Sequence, residues 1–244
     1  TNMIKDLLGI GFIIISYPYI LDTIALIQLE ESIGLYLIAL VCMDFASYWN
    51  HRLNHSINIF WNRHVVHHSS EEFNLACALR QSISKNIIGF GALFLIPAAL
   101  FGVPQKIIII LAPLHLFGQF WYHTRHIGKL GWLEYFLVTP SQHRVHHAIN
   151  PEYVDKNLSA IFCIWDRMFG SFVTENQRPS YGLTKQIESY NPAKIAFYEW
   201  VQMVKDVANA KSMKGVLGYI FGPPGWSEDG SRLTVTQMRE QQKK

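Results

Sequence analysis

The sequence predicts an all-α, integral-membrane protein of about four transmembrane or hairpin helices, capped on its cytoplasmic side by short helices that carry a histidine-rich di-metal site. Three observations predict it. Apolar runs reach membrane length, charged residues are sparse, and histidines crowd into three short motifs beside those runs.

Composition narrows the class first. Half of the 244 residues are hydrophobic and 16% are charged, with a positive mean hydropathy of +0.11; soluble domains carry nearer a quarter of charged residues. The net charge of +3 is small and the basic residues are scattered. Without a basic stripe, and with aromatics set in apolar runs instead of between Lys and Arg, nucleic acid is excluded as a partner. Cys42, Cys77 and Cys163 lack CxxC spacing and read as buried, reduced thiols. The chain starts at Thr1, so we expect upstream segments that it does not contain. Residues 7–29 form too long an apolar block for a cleavable signal peptide and lack its basic start and small-residue end.

The elements follow in order. Residues 7–29 and 33–49 read as two spans joined by Glu30-Glu31-Ser32. Residues 87–122 form a third apolar block, interrupted by Gly102-Val103-Pro104-Gln105-Lys106. One crossing takes roughly 20 residues, so this block reads as a hairpin of two short helices. Core helices of a soluble protein are the alternative for these segments. Arg52, Arg63, Arg80 and Lys85 precede the hairpin and Arg125 and Lys129 follow it, whereas the opposite turns carry only Lys106. The positive-inside rule therefore puts both histidine-rich regions in the cytoplasm, at a bacterial inner membrane or an endoplasmic reticulum. We expect a membrane-embedded catalytic domain over residues 1–175 and a cytoplasmic C-terminal helix and tail over 176–244. Within the latter, 192–209 has helical periodicity, "GPPGW" at 222–226 marks a rigid turn, and 227–244 reads as a solvated, mobile tail.

Eight of the 11 histidines lie in three motifs: His51 and His55 (HxxxH), His64, His67 and His68 (HxxHH), and His143, His146 and His147 (HxxHH). Residues three and four apart share a helix face, about 5–6 Å between Cβ atoms, so each motif presents at least two imidazoles to one side. Neutral imidazole suits iron, copper, zinc and nickel. Eight such groups exceed what one ion of four to six ligands uses, so two metals are the simplest count.

Asp44, Tyr48, His51 and His55 follow i, i+4, i+7 and i+11, a polar stripe down an apolar helix. Ionisable groups at membrane depth are costly and face a functional interior. For the third motif, Thr139-Pro140-Ser141-Gln142 reads as a capping box with Pro at the first helical position. Asn150-Pro151 reads as the stop, giving a helix of about ten residues with its histidines in the first half. His123 follows Gln119 by four residues and His115 by two turns, so the three share a face and His123 is a candidate ligand; His115 and His126 are weaker ones. Carboxylates and amides that accept the second N–H of each ring complete such a site. Asp44, Glu71, Glu72, Asp155, Asn157 and Asp166 are the candidates, Glu71 and Glu72 because they follow His67 and His68 by four residues.

With these motifs in hand, the chain resembles the fatty acid hydroxylase/sterol desaturase superfamily over about residues 40–175. The stretches "DFASYWNHRLNH", "WNRHVVHHSSEEFNLACALRQS", "QFWYHT" and "TPSQHRVHHAINPEYVDKN" look most like its alkylglycerol monooxygenase-like branch. That resemblance implies a non-haem di-iron membrane enzyme that hydroxylates a C–H bond of a lipid with O2, an ether lipid in this branch. Tetrahydrobiopterin is the implied electron donor, with a redox protein as the alternative, and a fatty acyl or sterol hydroxylase or desaturase is the alternative activity. By motif, His51, His55, His64, His67, His68, His143, His146 and His147 correspond to the iron ligands and His123 to a ninth. Zinc is expected to replace iron in isolated protein, because imidazole sites accept both. The chain departs from longer members in starting only about 50 residues before the first motif.

Two rival classes remain. A non-catalytic metal-binding membrane protein would place polar groups along a path across the bilayer, whereas here they gather at one face. A zinc hydrolase would want few protein ligands and a Glu base, and eight histidines exceed that.

Overall fold

The computed structural model describes residue 11, residues 15–82, residue 84 and residues 90–242, apart from the side chains of 90–92 and 242. Among these residues the regular structure is helical, with two isolated bridges, Leu137 to Phe162 and Ala148 to Tyr181.

Helix α1 spans residues 15–24. The expected span over 7–29 lies partly outside the described residues, and its described part is not helical to the end. The chain leaves the helix after 24 and the Leu26 amide turns to the carbonyl of Leu100 (3.1 Å). Helix α2, Ile33–Ser56, begins where the Ser32 hydroxyl accepts the amide of Leu35, the usual role of an N-cap serine. Its 24 residues give about 36 Å of helix. It is the one described helix long and apolar enough to cross a membrane. It continues past the expected end at 49 and carries His51 and His55 without a break.

The hairpin is present. A 3₁₀ turn, Phe90–Leu95, leads into α5, Ile96–Leu100, and α6, Gln105–Phe120, returns. Gly102 makes the reversal at φ +67, where an added Cβ would collide with the carbonyl of Ile27. Tyr17, Leu35, Ala39, Ala98, Ala99, Val103 and Ile107 bring α1, the first half of α2 and the hairpin into one apolar core. The small Ala39, Ala98 and Ala99 let the backbones approach, and the Tyr17 hydroxyl donates to the Val103 carbonyl (2.8 Å). At this end Glu31 pairs with Lys106, so the two expected far-side turns do lie together.

The opposite end of α2 carries the cap. Ile57 breaks the helix at φ −126, and α3, Asn58–His68, folds back against α2. Short helices α4, Leu75–Leu79, α7, Pro140–His146, and α8, Ile164–Met168, surround it. Helix α9, Pro192–Ala208, lies on α3, and α10, Met213–Phe221, lies on both. The expected mobile tail is instead partly ordered: α11, Val235–Gln242, is helical and Arg239 donates to the carbonyls of Pro151 and Val154.

Candidate metal centre

Nine histidines converge where α2, α3, α7 and the turn after α6 meet. They form two groups, each with its ligand nitrogens within 4.8 Å of one another: His51, His55, His64, His68 and His146; and His67, His123, His143 and His147. The sequence neighbours His67 and His68 serve different groups, because successive residues on a helix point about 100° apart. His146 and His147 divide in the same way. The groups adjoin, with the rings of His68 and His147 stacked at 4.4 Å and those of His143 and His146 stacked at 5.1 Å.

The hydrogen bonds fix which nitrogen faces inward. A carbonyl only accepts, so Nδ1 of His51 donates to Leu158 (2.8 Å), that of His67 to Cys77 (2.9 Å) and that of His146 to Lys156 (3.0 Å). Nδ1 of His123 donates to the Phe120 carbonyl (3.3 Å), and Nδ1 of His55 donates to the Asp155 carboxylate (2.9 Å). In a neutral ring, Nε2 then presents a lone pair. Nε2 of His55 and of His146 are buried with no hydrogen-bond partner.

Other inward nitrogens crowd each other: His51 to His64 at 3.0 Å, His64 to His68 at 3.1 Å, and His67 to His123 at 3.4 Å, all Nε2 to Nε2. His67 and His123 both donate outward from Nδ1, so two lone pairs face each other there, and they repel unless a cation lies between them. Two nitrogens bound at about 2.1 Å to one ion stand about 3.0–3.4 Å apart, the spacing seen here. The donor set fits a first-row transition metal in each group, and these histidine clusters can bind metal.

Burial keeps the rings neutral. Desolvation first, and neighbouring imidazoles second, hold His64, His68, His143, His146 and His147 well below the ordinary histidine value. Burial pushes His123 down to about 4. Neutral imidazole is the ligating form.

The loop at 155–163 orients the first group. Asp155 and Asn157 adopt left-handed φ values of 56 and 52, a conformation that Asp and Asn tolerate better than other side chains. Asn157 exchanges hydrogen bonds with Val173 and donates to the Gln142 carbonyl. Asp166 accepts the amides of Leu158 and Ser159 (2.7 and 2.8 Å). Asp44 accepts the amides of Ile161 and Phe162 and the indole N–H of Trp165. Asp44, Asn157 and Asp166 therefore hold the loop that holds the histidines; Asp155 alone among the expected carboxylates meets a clustered ring.

One expectation is corrected, and the two weaker histidine candidates fall outside the site. Glu71 and Glu72 are exposed, Glu72 pairing with Arg125; α3 ends at His68 with Ser69 as its cap, so the four-residue relation to His67 and His68 is lost. His115 joins neither group: its Nε2 meets Asp44 (2.9 Å) and its Nδ1 meets Gln119. His126 is exposed and outside both groups. His123 does join, but α6 stops at Phe120, so a turn, not a shared helix face, delivers it.

Helix α7 also differs in detail. It has seven residues, with its histidines in the second half. Thr139 makes no side-chain cap; its hydroxyl and that of Ser141 donate to Glu134 instead. The helix ends before Asn150-Pro151 because Ala148 and Ile149 pair with residues 180 and 181.

The sequence reading missed Arg144 and Phe73. Arg144 is buried between two histidines of α7; its guanidinium takes both carboxylate oxygens of Glu175 (2.9 and 2.7 Å) and the carbonyls of Thr124 and Ile127. It thus ties the turn that carries His123 to the helix that carries His143. An arginine inside HRVHH is the signal, since such a helix cannot turn every face to water. Phe73 is buried against His147 and His123 and stacks on Tyr181, closing the second group.

Residues 36–171 match the fatty acid hydroxylase family. Alkylglycerol monooxygenase of Xenopus tropicalis is 38% identical over 237 residues, 97% of this chain and 52% of the relative. The human alkylglycerol monooxygenase is 38% identical over 223 residues, 91% of this chain and 49% of the relative. An ornithine lipid hydroxylase of Rhizobium tropici is 27% identical over 135 residues, 55% of this chain and 40% of the relative. The chain spans about half the length of the alkylglycerol monooxygenases it matches. No solved structure matches it.

Proposed function

The chain belongs to the fatty acid hydroxylase family, and from that premise we propose that it is the catalytic part of a membrane-bound, O2-dependent lipid monooxygenase acting on an alkylglycerol. The convergence of nine buried or half-buried imidazoles into two adjoining groups carries this reading. One iron would be held by His51, His55, His64, His68 and His146, the other by His67, His123, His143 and His147. When bound, the irons supply the redox chemistry that joins an oxygen atom of O2 to a C–H carbon, with electrons from a tetrahydropterin.

The chain's own residues do the rest. Asp155 and the carbonyls of Leu158, Lys156, Cys77 and Phe120 take the outer N–H of five rings, which leaves their inner nitrogens as donors. Phe73 and Tyr122, packed on His123 and His143, keep water from the second group. Tyr122 follows α6 directly, so an apolar chain lying along α6 is led to that group.

Helix α2 would cross the bilayer and the hairpin would enter it. Leu37, Val41, Ile110, Leu114 and Phe117 are exposed on these elements, as a lipid-facing surface requires. Arg52, Arg63 and Arg80 support a cytoplasmic side for the cap by the positive-inside rule.

The test is mass spectrometry of a labelled 1-O-alkylglycerol after incubation with iron-loaded protein, O2 and tetrahydropterin, with the pterin omitted as control. Pterin-dependent aldehyde is the expected product. No product from protein shown to hold two irons would overturn the ether-lipid assignment and turn the search to acyl, sterol or ornithine lipids.

A further inference from the structure

Helices α9 and α10 bury only part of their apolar surface. Ala196 and Met203 face inward, Met203 against the Asn62 amide of α3. A second apolar stripe faces outward: Phe197, Val201 and Val204 on α9, and Met213, Leu217 and Phe221 on α10, each between 45% and 72% exposed. The spacings 197, 201, 204 and 213, 217, 221 keep each stripe on one helix face.

The polar rim of this surface is mainly basic, with Glu228 as the carboxylate beside it, accepting the Lys211 amide and the Ser212 hydroxyl at the start of α10. Lys194, Lys205, Lys211 and Lys214 are exposed beside the stripes, and none of the exposed residues of α9 or α10 is acidic. Asp206, the acidic side chain nearest the rim lysine Lys205 in sequence, is paired with Arg232 (2.8 Å). Apolar stripes bordered by four exposed lysines complement a surface with an oily interior and negative headgroups.

The position of α9 fits such a surface. The Trp200 indole N–H donates to the Ser84 hydroxyl (3.0 Å). Ser84 lies six residues before the 3₁₀ turn Phe90–Leu95 that packs on α2 and opens the apolar hairpin. Trp200 therefore ties α9 to a residue that closely precedes the hairpin in sequence, and tryptophan is the side chain that concentrates at membrane interfaces.

We propose that the outer face of α9 and α10 lies in the plane of an anionic lipid surface, with Phe197, Val201, Val204, Met213, Leu217 and Phe221 in the acyl region and the four lysines on the headgroups. This rests on the membrane reading given above. It adds a second contact that holds α3, and so His64, His67 and His68, at a fixed height over the bilayer.

The experiment uses the full chain in nanodiscs with bimane placed by Val201→Cys, Leu217→Cys or, on the outer face of α2, Val41→Cys. The three native cysteines are buried, so the parent chain sets the labelling background. In phosphatidylglycerol discs, labels at 201 and 217 should be quenched by spin-labelled lipid and lose quenching by iodide. Phosphatidylcholine discs, or Lys194, Lys205, Lys211 and Lys214 all changed to Gln, should restore iodide quenching.

A label at 41 in lipid while 201 and 217 stay open to iodide in every disc overturns the proposal and leaves the membrane reading standing. Shielding of 201 and 217 from both quenchers overturns it in favour of a protein partner. Lipid quenching that ignores headgroup charge overturns the anionic assignment. A label at 41 open to iodide overturns both readings.

Discussion

The two histidine groups differ in how they are held. The first draws five rings from α2, α3 and α7, and its outer partners come from one loop: the Asp155 carboxylate and the carbonyls of Lys156 and Leu158. The second draws four rings from α3, α7 and the turn after the hairpin. Its outer partners are the carbonyls of Cys77 and Phe120, from two separate elements, with Arg144 as the tie between them. One group is set by a strained loop with a negative charge, the other by the end of the hairpin. The difference means that the two can be weakened separately, although their rings touch.

The sharpest way to break that comparison is to remove neighbours in sequence. His67→Ala and His68→Ala each delete one ring from a different group. If the parent takes up two metal ions per chain, each variant should retain about one, and each should lose monooxygenase activity. The loss should exceed the about 10–100-fold that supporting residues control. Elemental analysis with a circular-dichroism check on folding reads the outcome. Loss of both ions from either variant would show one cooperative cluster in place of two groups.

Those two histidines also show what the sequence reveals and what it hides. HxxxH and HxxHH are legible because a helix turns fixed spacing into a shared face, and α2 and α3 are regular across them. The same rule failed where the helix had already stopped. Glu71 and Glu72 were placed by extending α3 past Ser69, and His123 by extending α6 past Phe120; the first pair turned out to solvent, and the third was delivered by a turn. The carbonyls of Cys77, Phe120, Lys156 and Leu158 had no signal, because every residue carries one. The hairpin was legible from its length and its Gly102-Val103-Pro104 break, and the order in residues 235–242 was not, since Arg239 finds its acceptors 85 and 88 residues away.

Weaker changes should sharpen the asymmetry. Asp155→Asn keeps a residue suited to φ +56 and removes the charge facing His55. Metal affinity of the first group should fall about 10–100-fold, with the second unchanged. Arg144→Lys removes the fork that spans Glu175 and two carbonyls, a geometry lysine cannot reproduce. Here the second group should weaken by about tenfold, the low end of the same range. Competition with a chelator, followed for each ion, separates the two. Equal weakening of both groups by either variant would show that the loop and the arginine support a common frame.

The smallest effect is graded with pH and concerns the metal-free chain. Burial lowers His64, His68, His143, His146 and His147 well below 6.5, and His123 to about 4. An unfolded chain takes up protons on these rings near 6.5, while the folded chain resists doing so. Below 6.5 the unfolded state therefore binds more protons, and stability rises with pH across that window. The contribution is complete above 6.5 and is lost as pH falls; for His123 the loss runs from 6.5 down to about 4. The urea midpoint of metal-free protein should drop steadily between pH 7.5 and 5, and His123→Gln should make that slope shallower. Metal should raise the midpoint across this whole range, because the folded rings stay neutral and free to ligate while those of the unfolded chain take up protons. A flat midpoint in the metal-free chain would mean that water reaches the rings once the ions are gone, and that metal, not the loop and Arg144, closes the two groups.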